Sequence, residues 1–143
     1  MADTIKNQEC VYINCDGASR GNPGKASIGV CIKGEDKKTV LKKYGKYIGE
    51  CTNNQAEYSA VIDALDSASE FTNKNVCVFS DSELLVRQLN KQYRIKDKKL
   101  KTLFLKVREQ EKIFDVVTYA HISRDKNTVA DKLANEALDE LIK

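Results

Sequence analysis

No stretch of this sequence approaches the roughly 18 consecutive apolar residues that a membrane-crossing helix needs. The opening segment, MADTIKNQEC, also lacks the apolar run of a secretory leader. The expectation is a protein that does not enter a membrane and stays where it is made, in a cytoplasm. Proline occurs once, at Pro23, and there is no low-complexity tract, internal repeat or Pro/Ser-rich linker. Nothing therefore divides the chain. Residues 1–143 read as a single domain with residues 1–9 as a flexible lead-in, long enough to bury a core without disulfide or metal staples. Cys-x-x-Cys pairs are missing as well. The five cysteines, Cys10, Cys15, Cys31, Cys51 and Cys77, are odd in number. That pattern suggests neither a zinc site nor a disulfide framework, and reads as small buried or half-buried residues. With 41% hydrophobic and 31% charged residues the chain is too apolar for a disordered polymer.

What is present is unevenly charged, although the net charge is only +3. Between positions 91 and 112 the bases Lys91, Arg94, Lys96, Lys98, Lys99, Lys101, Lys106, Arg108 and Lys112 face only Asp97, Glu109 and Glu111. A second basic stretch holds Lys37, Lys38, Lys42, Lys43 and Lys46. Two readings are open for both: a solvated face, or a footprint for a polyanion.

Periodicity orders the elements. The run CVYINC is a β-branched strand that Asp16-Gly17 would close, and ASRGNPGK (18–25) is turn chemistry throughout. SIGVCI and TVLKKYGKYI read as two further strands of an antiparallel meander. From Asn54 to Ser69 the period changes: Ala56, Ala60, Val61, Ala64, Leu65 and Ala68 recur at helical spacing. VCVF is a short apolar strand of the kind found inside parallel sheets. Helices follow around Leu84–Leu89 and Leu100–Val107, then the strand FDVVTYA and a closing helix from Val129 to Leu141. The order βββ-α-β-α-α-β-α implies an α/β domain with helices on both faces of a sheet.

Two apolar strands run into acids, VYINC into Asp16 and VCVFS into Asp81. In an open α/β sheet, ligands bind beyond the carboxyl ends of the strands. A carboxylate there is costly unless something neutralises it. Local explanations also exist. Asp16 would serve as a turn residue and Asp81 as a helix cap. Glu57, three after Asn54, and Asp131, three after Thr128, have the spacing of capping boxes or first-turn acids. Spacing alone does not choose.

The flanking residues do. Asp16-Gly-Ala-Ser-Arg-Gly-Asn22-Pro-Gly, Thr52-Asn53-Asn54-Gln55-Ala56-Glu57, Ser80-Asp81-Ser82 and His121-Ile-Ser-Arg124-Asp-Lys-Asn127-Thr-Val-Ala-Asp131 resemble, in order and separation, the type 1 ribonuclease H family. The resemblance spans about residues 10–140. It implies a ribonuclease H-like α/β fold, with a five-stranded mixed sheet of order 3-2-1-4-5 in which strand 2 is antiparallel. It further implies that Asp16, Glu57, Asp81 and Asp131 form one acidic cluster holding two Mg²⁺ ions, with Mn²⁺ as a substitute. Hard cations of this kind take carboxylate oxygens, and a pair of them promotes in-line phosphodiester hydrolysis. In the family's terms Asp16 bridges both ions, Asp131 holds the one that activates water, Glu57 serves the one beside the leaving oxygen, and Asp81 completes the shell.

The implied activity is cleavage of the RNA strand of an RNA–DNA hybrid by a monomer, leaving 5′-phosphate and 3′-hydroxyl ends. His121 matches the family's mobile histidine, suited to proton transfer or product release. Asn22, Asn53 and Asn54 match minor-groove residues that read the 2′-hydroxyl. Thr52 matches a residue that grips a DNA-strand phosphate, and Ser82 sits beside the groove. Glu83 departs from the pattern, where a neutral amide is common. A basic handle found in some members is absent, since only QYRIKDKK (92–99) separates the second and third helices, and no hybrid-binding domain is expected before residue 10. Grip then falls to Lys98, Lys99 and Lys101 of the third helix, with help from the Lys37–Lys46 stretch, and affinity should be modest and strongly salt-dependent. Rival readings are a catalytically silent module of this fold and a relative acting on other nucleic acids.

Overall fold

A computed structural model of the chain describes residues 7–142. Five strands, β1 (Cys10–Gly21), β2 (Gly24–Lys33), β3 (Val40–Cys51), β4 (Asn75–Ser80) and β5 (Val116–His121), form one sheet in the order β3-β2-β1-β4-β5. β2 is antiparallel to β1 and β3, whereas β1–β4 and β4–β5 are parallel. The helices are α1 (Asn53–Ala68), α2 (Glu83–Leu89), α3 (Lys98–Glu111) and α4 (Thr128–Ile142), with a short 3₁₀ turn at Arg124–Lys126. Sheet order and strand directions match the expectation.

The first strand is longer than its composition suggests. β1 continues through Asp16 to Gly21, and only Asn22-Pro23 remain as the turn into β2. The small polar residues of 17–21 remain in the ladder because β2 supplies their partners, in the register Asp16↔Gly29 to Gly21↔Gly24. Pairing overrides local turn propensity here. β4, in contrast, pairs with β1 only as far as Asn14↔Phe79. Asp16 therefore sits inside one ladder and just past the end of the other. Gln8 and Glu9, within the segment expected as a flexible lead-in, are tied into the fold. Gln8 N–H donates to the Phe71 carbonyl at 3.0 Å, and Asn75 N–H to the Glu9 carbonyl at 3.3 Å. Residues 1–6 lie outside the described residues.

Alternation assigns the two faces of the sheet. Val11, Ile13 and Cys15 of β1, Ile28, Val30 and Ile32 of β2, and Val76 and Val78 of β4 point to one side, where α1 supplies Tyr58, Val61, Ala64 and Leu65 to a common core. Gly29, between Ile28 and Val30, points the other way. There α4 packs with Ala130, Ala134 and Leu138 buried. Gly29 is paired with Gly45 of β3, and a Cβ at either position would overlap a backbone carbonyl of α4, that of Ala130 or Leu133 respectively. The Ser27 hydroxyl donates to the Ala134 carbonyl on the same face. A close glycine seat and one buried hydrogen bond thus set the height of α4 over the sheet.

The five cysteines are all free. Cys15 and Cys31 are buried, consistent with a packing role, while Cys10, Cys51 and Cys77 are half-buried. Among the described residues no helix is long and apolar enough to cross a membrane.

Candidate active site

The local explanations for the acids fail at three of four positions. Asp16 is mid-strand and starts no turn. The cap of α2 is Ser82, whose hydroxyl accepts from Leu85 N–H at 3.3 Å, so Asp81 caps nothing. The capping box of α1 belongs to Thr52 and Gln55, with Oγ1 accepting from Gln55 N–H at 3.2 Å and Gln55 Oε1 from Thr52 N–H at 2.9 Å. Glu57 lies beyond it. Asp131 does stand in the first turn of α4, where the helix dipole favours an acid.

Carboxylate oxygens of Asp16, Glu57 and Asp81 lie within 4.8 Å of one another. Three elements bring them there. Asp16 shares a face with Gly29, toward α4. Glu57 comes from α1 on the other side and reaches the same point because β4 has ended. Gly17 permits that approach, since a Cβ there would strike the backbone of Ala56 and Glu57. Its N–H donates to Glu57 Oε1 at 2.9 Å, and the Ser80 hydroxyl donates to Glu57 Oε2 at 3.4 Å. Asp81 follows directly on β4. Asp131 lines the same cleft of about 400 Å³ but stands outside the close set of three. Asn135, one turn further along α4, donates to the Asp131 carbonyl at 2.9 Å and to its Oδ1 at 3.2 Å.

No lysine or arginine forms an ion pair with any of these four acids among the described residues. The electrostatics follow. Asp16 is 6% exposed and Glu57 9%. Burial, and then the facing Glu57 carboxylate, raise the proton affinity of Asp16 far above the ordinary carboxylate range. Burial raises Glu57 too, against the opposing effect of its hydrogen bonds with Asp16 and Gly17. Without a cation the pair holds a proton at neutral pH. Buried oxygens arranged in this way suit a hard divalent cation, which would replace that proton.

Asn53, Asn54 and Ser82 join the acids in lining the cleft. Asn22 does not line it, but its Oδ1 accepts from Asn53 N–H at 3.1 Å, tying the β1–β2 turn to the start of α1. Thr52 is half-buried at the rim as the α1 cap. His121 ends β5 in register with Ser80, exposed at the same sheet edge and outside the cleft. Lys98, Lys99 and Lys101 are exposed on the first turn of α3 and do not line the acids' cleft. Lys99 borders a groove of about 320 Å³ with Ile48 and Gln55. Lys101 borders a pocket of about 510 Å³ with Lys91 and Arg94. The second basic stretch is partly neutralised, with Lys42 on Glu70 at 2.7 Å and Lys46 on Asp63 at 3.0 Å. Glu83 is paired with Arg87 at 2.9 Å.

A family model described as "Reverse transcriptase-like" matches residues 14–137. Ribonuclease H of Coxiella burnetii is 31% identical over 153 residues, covering 96% of each chain. The chain belongs to the type 1 ribonuclease H family. The crystal structure of RNase H1 from the halophilic archaeon Halobacterium salinarum superposes with a TM-score of 0.88 at 40% identity, covering 92% of this chain and 98% of that one. A compost-derived RNase H1, solved in complex with an RNA/DNA hybrid, gives 0.87 at 40% identity, with 93% and 99% covered. Other members are far longer: the chain spans 35% of a bifunctional protein of Mycobacterium tuberculosis, to which it is 38% identical. Gly17, Ser80 and Asn135 emerge as partners of the acids only in the fold. Of these, only Asn135 carries a sequence signal, its i,i+4 spacing from Asp131.

Proposed function

We propose that this chain hydrolyses the RNA strand of RNA–DNA hybrids, leaving 5′-phosphate and 3′-hydroxyl ends, with two Mg²⁺ ions held by Asp16, Glu57, Asp81 and Asp131. The observation that carries the reading is the set of three carboxylates within 4.8 Å of one another, buried at Asp16 and Glu57 and half-buried at Asp81, in a cleft that Asn53 and Asn54 also line. When bound, the ions supply water activation and stabilisation of the charge that develops on the phosphate and the leaving oxygen. Mn²⁺, another oxygen-seeking cation, fits the same ligands.

The chain's own residues do the rest. Asn53 and Asn54 present donors and acceptors beside the acids, as reading a 2′-hydroxyl requires. Asn22 steadies that pair, and Thr52 keeps a hydroxyl hydrogen free for a phosphate oxygen. Ser82 borders the scissile position. His121, exposed at the neighbouring strand end, carries protons to or from the cleft. One copy holds all four acids, which suits a monomer, and five free thiols suit a reducing compartment such as the cytoplasm.

The test is incubation with labelled hybrid, double-stranded RNA and duplex DNA, each with Mg²⁺ and with EDTA. Mg²⁺-dependent cutting of the RNA in the hybrid is expected, with duplex DNA intact. Equal cutting of duplex DNA would sink the assignment.

Lys98, Lys99 and Lys101 stand at the end of α3 where the helix dipole disfavours cations. The fold gains nothing from that placement, and a polyanion does. Replacing all three with Ala should raise KM for the hybrid and reduce its dependence on salt, with kcat and Tm little changed. An unaltered salt slope would make this turn a solvated face only.

A further inference from the structure

We infer that Asn127 is the positioning residue of the acidic site, a buried amide that fastens three of its four acid-bearing elements together. The inference rests on the metal-ligand reading above.

Asn127 is 1% exposed and sits between the 3₁₀ turn and α4. Its Nδ2 donates to the Cys15 carbonyl at 3.0 Å, next to Asp16, and to Asp81 Oδ2 at 3.3 Å. Its Oδ1 accepts from Asn14 Nδ2 at 3.1 Å. Its backbone carbonyl accepts the N–H of Asp131 at 3.1 Å. A peptide carbonyl can only accept, so the nitrogen of the amide must face it, and both of its hydrogens are used. Asn14, on the same sheet face as Asp16, holds the oxygen end and prevents the amide from turning over. Four bonds from one residue thus set where Asp81 points, where β1 stands as Asp16 leaves the β4 ladder, and where α4 begins. Glu57 is held separately, by Gly17 and Ser80.

A residue of this kind acts through the ligands it orients. Loss of such partners typically costs 10–100-fold in metal affinity or activity. Asn127→Ala leaves all four carboxylates present and frees Asp81 and the β1 end to drift. Asn14→Ala removes only the bond that fixes the amide's orientation, at a half-buried position, and should act in the same direction more weakly.

The experiment measures Tm against Mg²⁺ concentration for the wild type and both variants, beside kcat and KM for the hybrid. The Mg²⁺ midpoint of Asn127→Ala should rise by roughly 10–100-fold, with kcat lowered and KM little changed. That of Asn14→Ala should rise less. A merely structural Asn127 would lower Tm in EDTA and leave the Mg²⁺ midpoint where it was, and that result overturns the inference. If Asn127→Ala does not fold, Asn14→Ala decides: a raised midpoint supports the inference, and a wild-type midpoint overturns it. A wild type whose Tm ignores Mg²⁺ would overturn the metal reading and the inference with it. A responding wild type matched by both variants would overturn the inference alone.

Discussion

In Asp16→Asn, hybrid cleavage is expected to fall to background at every Mg²⁺ concentration while the metal-free fold survives. The substitution keeps the shape of the side chain and the β1–β2 pairing, and removes one charge from the centre of the cluster. Metal-based charge stabilisation is worth several kcal/mol, and at about 1.4 kcal/mol per decade its loss costs 10³-fold or more. Stability should move the other way. Asp16 and Glu57 both bind protons more tightly in the folded protein than as free carboxylic acids. Their contribution to stability is therefore fully present below the ordinary carboxylate range and is lost as pH rises through the raised values. In EDTA the wild type should melt at progressively lower temperature from about pH 4 upward, and Asp16→Asn should flatten that decline. At neutral pH the variant should melt a few degrees higher, since ~1 kcal/mol corresponds to roughly 3–4 °C in a domain of this size. Mg²⁺ should raise the wild-type Tm more than the variant's, because a ligand of the native state stabilises by mass action. Retained cleavage would remove Asp16 from the site. Unfolding of the variant in EDTA would show that Asp16 mainly holds the fold.

The four acids stood out in the sequence because four short motifs, each weak alone, follow one another in the family's order and separation, but their local explanations could not be dismissed there. Caps decide between them, and a cap is a matter of which backbone N–H a side chain meets. Thr52 and Ser82 fill those places, so Glu57 and Asp81 cap neither helix. Strand order was legible through the same motifs, whereas the length of β1 was not. Its polar second half reads as a turn until β2 is laid beside it in register, and hydrogen bonds between distant segments leave no local mark. Asn127 illustrates the same limit. Within its motif it is one polar residue ahead of a helix, a placement that ordinarily signals a cap. Its side chain instead turns inward to Cys15 and Asp81, 112 and 46 positions away. The lysines of α3 fall between these cases. Their clustering is plain from sequence, but their place at the wrong end of a helix dipole is visible only once the helix start at Asp97 is known.

The glycines that bring the acids together were the least legible feature, and Gly29→Ala should expose their role. Gly29 pairs with Asp16 on one side and Gly45 on the other, a single row across β1, β2 and β3. A methyl group at Gly29 would overlap the carbonyl of Ala130, the residue before Asp131. α4 backbone is what it meets, so no side chain can swing aside, and the helix must lift or tilt. Overpacking of this kind typically costs about 1–3 kcal/mol, occasionally more. Activity should suffer beyond that, because lifting α4 carries Asp131 away from Asp16 and a misplacement of ~1 Å can cost about 10²-fold. Gly34→Ala is the matched control. The new methyl there would meet the end of the Gln8 side chain at 3.0 Å, which can yield, so stability and activity should change little. Urea unfolding and hybrid cleavage, measured on both variants at saturating Mg²⁺, separate the two effects. A Gly29→Ala protein with the wild-type unfolding midpoint and turnover would mean that α4 finds its height without the glycine seat. A variant that is destabilised yet turns over normally would mean that Asp131 tolerates the shift, and that the site needs only the three carboxylates whose oxygens lie within 4.8 Å of one another.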